Sequence, residues 1–138
     1  VIETLRVDQW LYGVLSGDST LSALVAGRIY SALAPQDAAL PFVVFVQQTG
    51  FDVRGVGPYR IMTSLVYQIK TIGRGGSFQP IAAIADRLDL LLQGASGSVV
   101  DGRILMCVRE QPLAYVEVED GVYYRHLGGL WRILAQEM

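Results

Sequence analysis

The hydrophobic pattern of the chain is organised around one stretch, Leu40 to Ile72. It predicts two strands, Pro41–Thr49 and Arg60–Ile72, joined by a Gly-rich, Arg-bearing loop, Gly50–Tyr59. The first strand holds an unbroken β-branched and aromatic run, Phe42-Val43-Val44-Phe45-Val46, the composition of a strand covered on both faces. In the second strand, Met62, Ser64, Val66, Gln68 and Lys70 alternate with Ile61, Thr63, Leu65, Tyr67 and Ile69. Such alternation places one face on a core and leaves the other partly wet.

Helical periodicity flanks this centre. Val7, Leu11, Val14 and Leu15 share one face of a helix over Ile2–Leu15, which Ser16-Gly17 ends. Asp18 is a good N-cap for a short second helix that buries Leu21, Leu24 and Val25 and stops at Gly27. Arg28-Ile29-Tyr30 then reads as extended and Ala34-Pro35-Gln36-Asp37 as a turn or exposed loop. Beyond the central strands, Gly73-Arg74-Gly75-Gly76-Ser77 leads to a third helix. Ser77 can cap it, Pro80 is tolerated in its first turn, and Ile81, Ile84, Ala85, Leu88 and Leu92 form its stripe before Gly94.

The last third reads as strands. Ala95–Val100 is a small-residue loop, and Arg103–Glu110 is a strand with Ile104, Met106 and Val108 on one face, broken by Gln111-Pro112. Leu113–Val118 and Val122–Leu127 form a hairpin across Glu119-Asp120-Gly121, where Asp-Gly supplies positive φ. Gly128-Gly129 suggests a bulge or kink before Leu130–Leu134. Helices segregated from a run of strands predict an α+β fold. The expected form is one domain over residues 1–138, a mainly antiparallel sheet with helices on one side.

Composition adds a direction. Hydrophobic residues make up 51% and charged residues 17% of the 138, yet the longest apolar run, Ala38–Val46, is far short of the ~20 residues a membrane helix needs. Surplus apolar surface without a spanning segment points to subunit contacts. The net charge of −2 is spread along the chain, and no basic block speaks for binding nucleic acid through its phosphates. All basic residues but Lys70 are arginine, which suits interfaces, although genomic base composition gives the same bias. No signal-peptide pattern is found where Glu3, Arg6 and Asp8 interrupt the first apolar residues, and a reducing cytoplasm fits the cysteine count.

Candidate chemistry is sparse. One cysteine and one histidine build neither an intramolecular disulfide nor a zinc site alone. The Gly73–Ser77 turn opens a helix, where phosphates bind, but it lacks P-loop spacing, and Phe78 stands where the third dinucleotide-fold glycine belongs. Asp86 and Asp89 fit a solvated helix face better than a cation site. Glu117 and Glu119 fit charges guarding a sheet edge better than an acid–base pair. Cys107 reads as an inert buried thiol, and a Cys107–His126 dyad has no visible orienting group. The expectation is a protein without an active site, cofactor or metal.

Trp10-Leu11-Tyr12-Gly13-Val14-Leu15, Asp18, Leu21, Leu24-Val25 and Gly27-Arg28-Ile29-Tyr30, followed by Ala34-Pro35 and Leu40-Pro41-Phe42-Val43-Val44, form a telling succession. Together with the closing Tyr123-Tyr124-Arg125-His126-Leu127-Gly128-Gly129-Leu130-Trp131, it resembles the tail-completion, or tail-terminator, proteins of long-tailed bacteriophages and phage-like particles. The resemblance implies a non-enzymatic ring, expected to be a hexamer, that caps the head-proximal end of the tail tube. It implies three kinds of partner: other copies of the chain, the tail tube protein and a head-side connector or stopper. DNA would pass through the ring without specific binding, and no membrane is involved. The place would be the tail–neck junction of a virion assembled in the host cytoplasm. No site residue carries over from the family.

From exposure alone, Phe51, Arg54, Tyr59 and Arg60 in the central loop are expected to meet a partner. The rival readings are a head-side connector or stopper, a small enzyme using Cys107 or the acidic hairpin, and a ligand-binding domain.

Overall fold

The computed structural model describes residues 2–137. Three helices, α1 (Ile2–Ser16), α2 (Ser19–Val25) and α3 (Gln79–Leu92), accompany six strands. These are β1 (Ile29–Ser31), β2 (Phe42–Arg54), β3 (Arg60–Arg74), β4 (Gly97–Val99), β5 (Gly102–Glu119) and β6 (Val122–Glu137). One sheet runs in the order β1-β2-β3-β6-β5-β4, antiparallel except for β1 on β2, and it curls. The α+β expectation holds.

The alternation read from the sequence decides which residues face the helices. Leu65, Tyr67 and Ile69 of β3 join Val43 and Phe45 of β2 and Trp131, Ile133 and Ala135 of β6 in the core. Onto them pack Val7, Leu11 and Leu15 of α1, Leu21 and Val25 of α2, and Ile81, Ile84, Leu88 and Leu92 of α3. Phe42 to Phe45 is buried at every position, as its composition predicts. Within this core, Tyr67 donates its hydroxyl to Asp8 Oδ1 at 2.7 Å, and burial together with that carboxylate holds its pKa above the ordinary phenol range.

Asp18 caps α2 by accepting from the Leu21 N–H at 2.8 Å and takes both prongs of Arg87 from α3, at 2.9 and 2.7 Å. The two helices are thereby tied together, and the Arg87 hydrogen bonds lower the Asp18 carboxyl to about 2. At the other end of α2 the left-handed stop begins one residue earlier than expected, at Ala26 (φ 52°), and continues through Gly27 (φ 72°).

Several boundaries move. The central loop shrinks to residues 55–59, because β2 continues through Phe51 to Arg54 with a register shift between Gln47 and Thr49. Gly50 lies opposite Leu65 within this ladder, so glycine there marked no turn. Residues 97–99 of the expected Ala95–Val100 loop pair with β5 as the short β4. Ser77 makes no helix-capping bond of good length: Phe78 occupies the cap position of α3, and the Gln79 N–H reaches Ser77 Oγ only at 3.4 Å.

The Gln111-Pro112 break is absent. β5 is one strand of 18 residues with irregularities between Ile104 and Met106 and between Arg109 and Gln111. Pro112 pairs with Gly129 on one side, and β4 covers only the first residues of the other side, so the missing N–H disturbs no ladder. The first irregularity also flips the phase of β5, placing Cys107 rather than Met106 beside Ile104 in the core. β6 itself has no bulge at Gly128-Gly129; the nearby irregularity lies on β5, facing Leu130 and Trp131. The glycines answer a close approach instead, since a Cβ on Gly128 would stand 2.2 Å from the Ile69 carbonyl oxygen. The β5–β6 turn does match expectation, with Asp120 at φ 51° and Gly121 at φ 77°, the pair of positive values a two-residue hairpin requires.

Candidate functional site

The helix-covered face is mostly filled by apolar side chains, and the open face of the sheet carries a polar cluster. Side chains opposite the core residues on β2, β3 and β6 project there, among them Val44, Lys70 and His126. The segment from Ala32 to Pro41, which connects β1 to β2, stands over this face and closes one wall of a cleft of about 1100 Å³. Glu117, Glu119 and Tyr124 of the β5–β6 hairpin line the cleft from the far side.

A polar cluster sits at its floor. Lys70 Nζ donates to the Tyr115 hydroxyl at 2.6 Å and lies 5.1 Å from the centre of that ring. Tyr115 stacks on His126 at 4.2 Å and 12°. Both Lys70 and His126 are buried. Burial and the Lys70 charge hold the imidazole below its ordinary pKa, against the opposing pull of Glu117. Its Nε2 stands 2.5 Å from Glu117 Oε1 yet outside hydrogen-bond geometry, and its Nδ1 is buried without a hydrogen-bond partner among the described residues.

This cluster escaped the sequence reading, although a signal existed. Lys70 is the chain's one lysine, on the wet side of a strand whose other side is core, and the Tyr115–His126 pairing follows from the hairpin register.

The four residues expected to meet a partner divide into two kinds. Tyr59, 78% exposed, lies in the β2–β3 turn, and Arg54 stands exposed at the end of β2. Phe51 is exposed as well, with the Arg132 guanidinium 5.7 Å above its ring. Arg60 differs: its guanidinium binds Glu3 through 2.7 and 3.2 Å hydrogen bonds and Glu137 at 3.3 Å. Burial pushes the Glu3 carboxyl up, but the bonds from Arg60 outweigh it and the net shift is downward. Arg60 thus fastens α1 and β6 to β3 while its side chain stays partly exposed.

The enzymatic candidates come apart. Cys107 points into the helix-covered core and His126 to the opposite face, so they form no dyad, and burial pushes the thiol up to about 12. In the turn before α3, the carbonyls of Gly75 and Gly76 accept from Arg125 at 3.1 and 3.0 Å, which ties the turn to β6. Among the described residues no group of three or more metal-binding side chains occurs, and no helix is long and apolar enough to cross a membrane.

Two exposed turns therefore mark opposite ends of the sheet. The β2–β3 turn follows the Arg54–Arg60 pair; the β5–β6 turn lies beyond Tyr124, which pairs with Arg74 at the other end of β3. An α+β subunit with this topology has a close counterpart. A chain in the solved structure of the virion of a native gene transfer agent (GTA) particle shares the fold, with a TM-score of 0.77 over 97% of each chain at 21% identity. The sequence profile of the family described as Tail completion protein gp17 matches residues 9–126. The chain belongs to this family. Family membership gives it a structural role in a phage-type virion tail, among other virion proteins. No curated protein sequence matches it significantly.

Proposed function

We propose that this tail-completion protein is a non-enzymatic cap of the tail tube. Copies of the chain, each a single domain over residues 1–138, assemble into a ring, expected to be a hexamer. The ring sits at the head-proximal end of the tube, ends the addition of tube subunits and presents its other side to the head connector at the tail–neck junction. The observation that carries this reading is family membership over residues 9–126. The geometry supports it: one subunit offers exposed aromatic and arginine side chains at one end, Phe51, Arg54 and Tyr59, and an acidic hairpin with Glu117, Glu119 and Asp120 at the other. Aromatic and arginine side chains are the groups that dominate protein interfaces. Arg60 serves this surface by holding the strand from which it projects. A net charge of −2 without a basic block suits a passage through which DNA slides without being gripped.

Electron microscopy of particles assembled without this protein tests the proposal. Overlong, irregular tubes beside unjoined heads are expected. Tubes of normal length with unjoined or leaking heads would move the protein to the head side of the neck, and normal particles would overturn both assignments.

A further inference from the structure

We infer that the cleft on the open face receives the β2–β3 turn of a second copy of this chain. The inference rests on the self-assembly reading above and names its contact. The register places the two features at opposite ends of the same strands: the turn follows Arg54 opposite Arg60, whereas the cleft floor lies near Val44 opposite Lys70. A protrusion at one end and a recess at the other make a head-to-tail contact, the kind that generates rings when its rotation closes.

The cleft also lacks partners that an occupant would supply. His126 Nδ1 is buried with no hydrogen bond, and buried Lys70 has the Tyr115 hydroxyl but no ion pair among the described residues. Buried polar groups are ordinarily satisfied, and the peptide groups of a turn offer both donors and acceptors. Charge agrees as well. Among the charged side chains lining the cleft, Asp37, Glu117 and Glu119 outnumber Lys70 and Arg74, and the turn brings exposed Arg54 beside Val56 and Tyr59. Opposite charges across an interface fix register and suppress wrong partners.

Leu33 on the cleft wall is 84% exposed and Val56 in the turn is fully exposed, while the native thiol of Cys107 is buried, so L33C and V56C place reactive thiols without touching the core. Treated with a short bismaleimide, the L33C/V56C double variant is expected to give a ladder of covalent oligomers, and neither single variant extends beyond a dimer. Native mass spectrometry of the same preparations reports whether rings form. Rings without a ladder overturn this contact and leave self-assembly standing. A protein that forms no ring at any concentration, alone or with tube protein, takes down both. Cross-linking of L33C to tube or connector protein in place of a second copy assigns the cleft elsewhere and overturns the inference. Charge reversal gives an independent readout: R54E and E119R are each expected to weaken assembly about tenfold, and their combination to restore it. Failure of the pair to rescue counts against the contact.

Discussion

The two faces of the sheet bury side chains for different reasons. On the helix-covered face, Phe45, Leu65, Ile69 and Ile133 meet α1, α2 and α3, and nearly every buried group is apolar. On the open face, the segment from Ala32 to Pro41 helps to close a cleft lined by the buried Lys70 and His126. The first face is built to fold the chain. The second leaves polar groups with partners missing, as expected of a surface completed by assembly.

Substitutions that separate folding from assembly sharpen this contrast. The largest effect belongs to the covered face: Leu88→Ala removes a buried side chain of α3 and is expected to cost about 2–5 kcal/mol in denaturant unfolding. A loss well under that range would show that α3 contributes little to the core. Gly128→Ala comes next, because its methyl group would meet the Ile69 carbonyl and the Lys70 backbone; about 1–3 kcal/mol of destabilisation is expected, with the shift at the β3–β6 ladder visible as faster amide exchange. Wild-type exchange rates there would remove the close-approach account of the glycine.

Acid unfolding supplies a smaller effect on the covered side. The Asp18 carboxyl is lowered from an ordinary 3.8 to about 2, chiefly by the Arg87 hydrogen bonds. A depressed carboxyl contributes stability in full above its unfolded pKa and loses it as pH falls through the folded one, so the loss should lie between about 4 and 2. Asp18→Asn is expected to flatten that part of the stability–pH curve while lowering the thermal midpoint by a few degrees. An unchanged slope would mean that the Asp18–Arg87 tie is not held in solution. The smallest effect on folding is expected on the open face. Lys70→Met should leave the unfolding free energy unchanged or raise it, since a buried charge without an ion pair costs desolvation, while weakening assembly in sedimentation. A strongly destabilised K70M monomer would break the distinction between the faces.

Local signals made the covered face legible. The period-two run through β3, the stripe on α3 and the Asp18 cap each rest on neighbours close in sequence, and the structure contains all three. The misreadings came where distant strands decide. Gly50 and Gly128-Gly129 looked like turn or bulge residues, but Gly50 lies inside a ladder, Gly128 makes room for β3 and Gly129 for β5. Pro112 looked like a break because nothing local shows that β4 covers only the start of β5. The phase flip that buries Cys107 likewise depends on an irregularity no pattern announces. The exposure of Phe51, Arg54 and Tyr59 was legible from composition, whereas the bonding of Arg60 to Glu3 and Glu137 spans the chain and was not.

That last contact has a consequence for chain order. Glu3 of α1 and Glu137 of β6 stand on the same Arg60 guanidinium, so the two ends of the described chain meet at one corner of the molecule. A short linker could join them there, and the sequence could be reopened at the exposed Asp120-Gly121 turn without cutting a core element. Such a circular permutant keeps every strand pairing while exchanging which hairpin carries free termini. A bulky label could then be moved from one end of the subunit to the other with the surface chemistry unchanged.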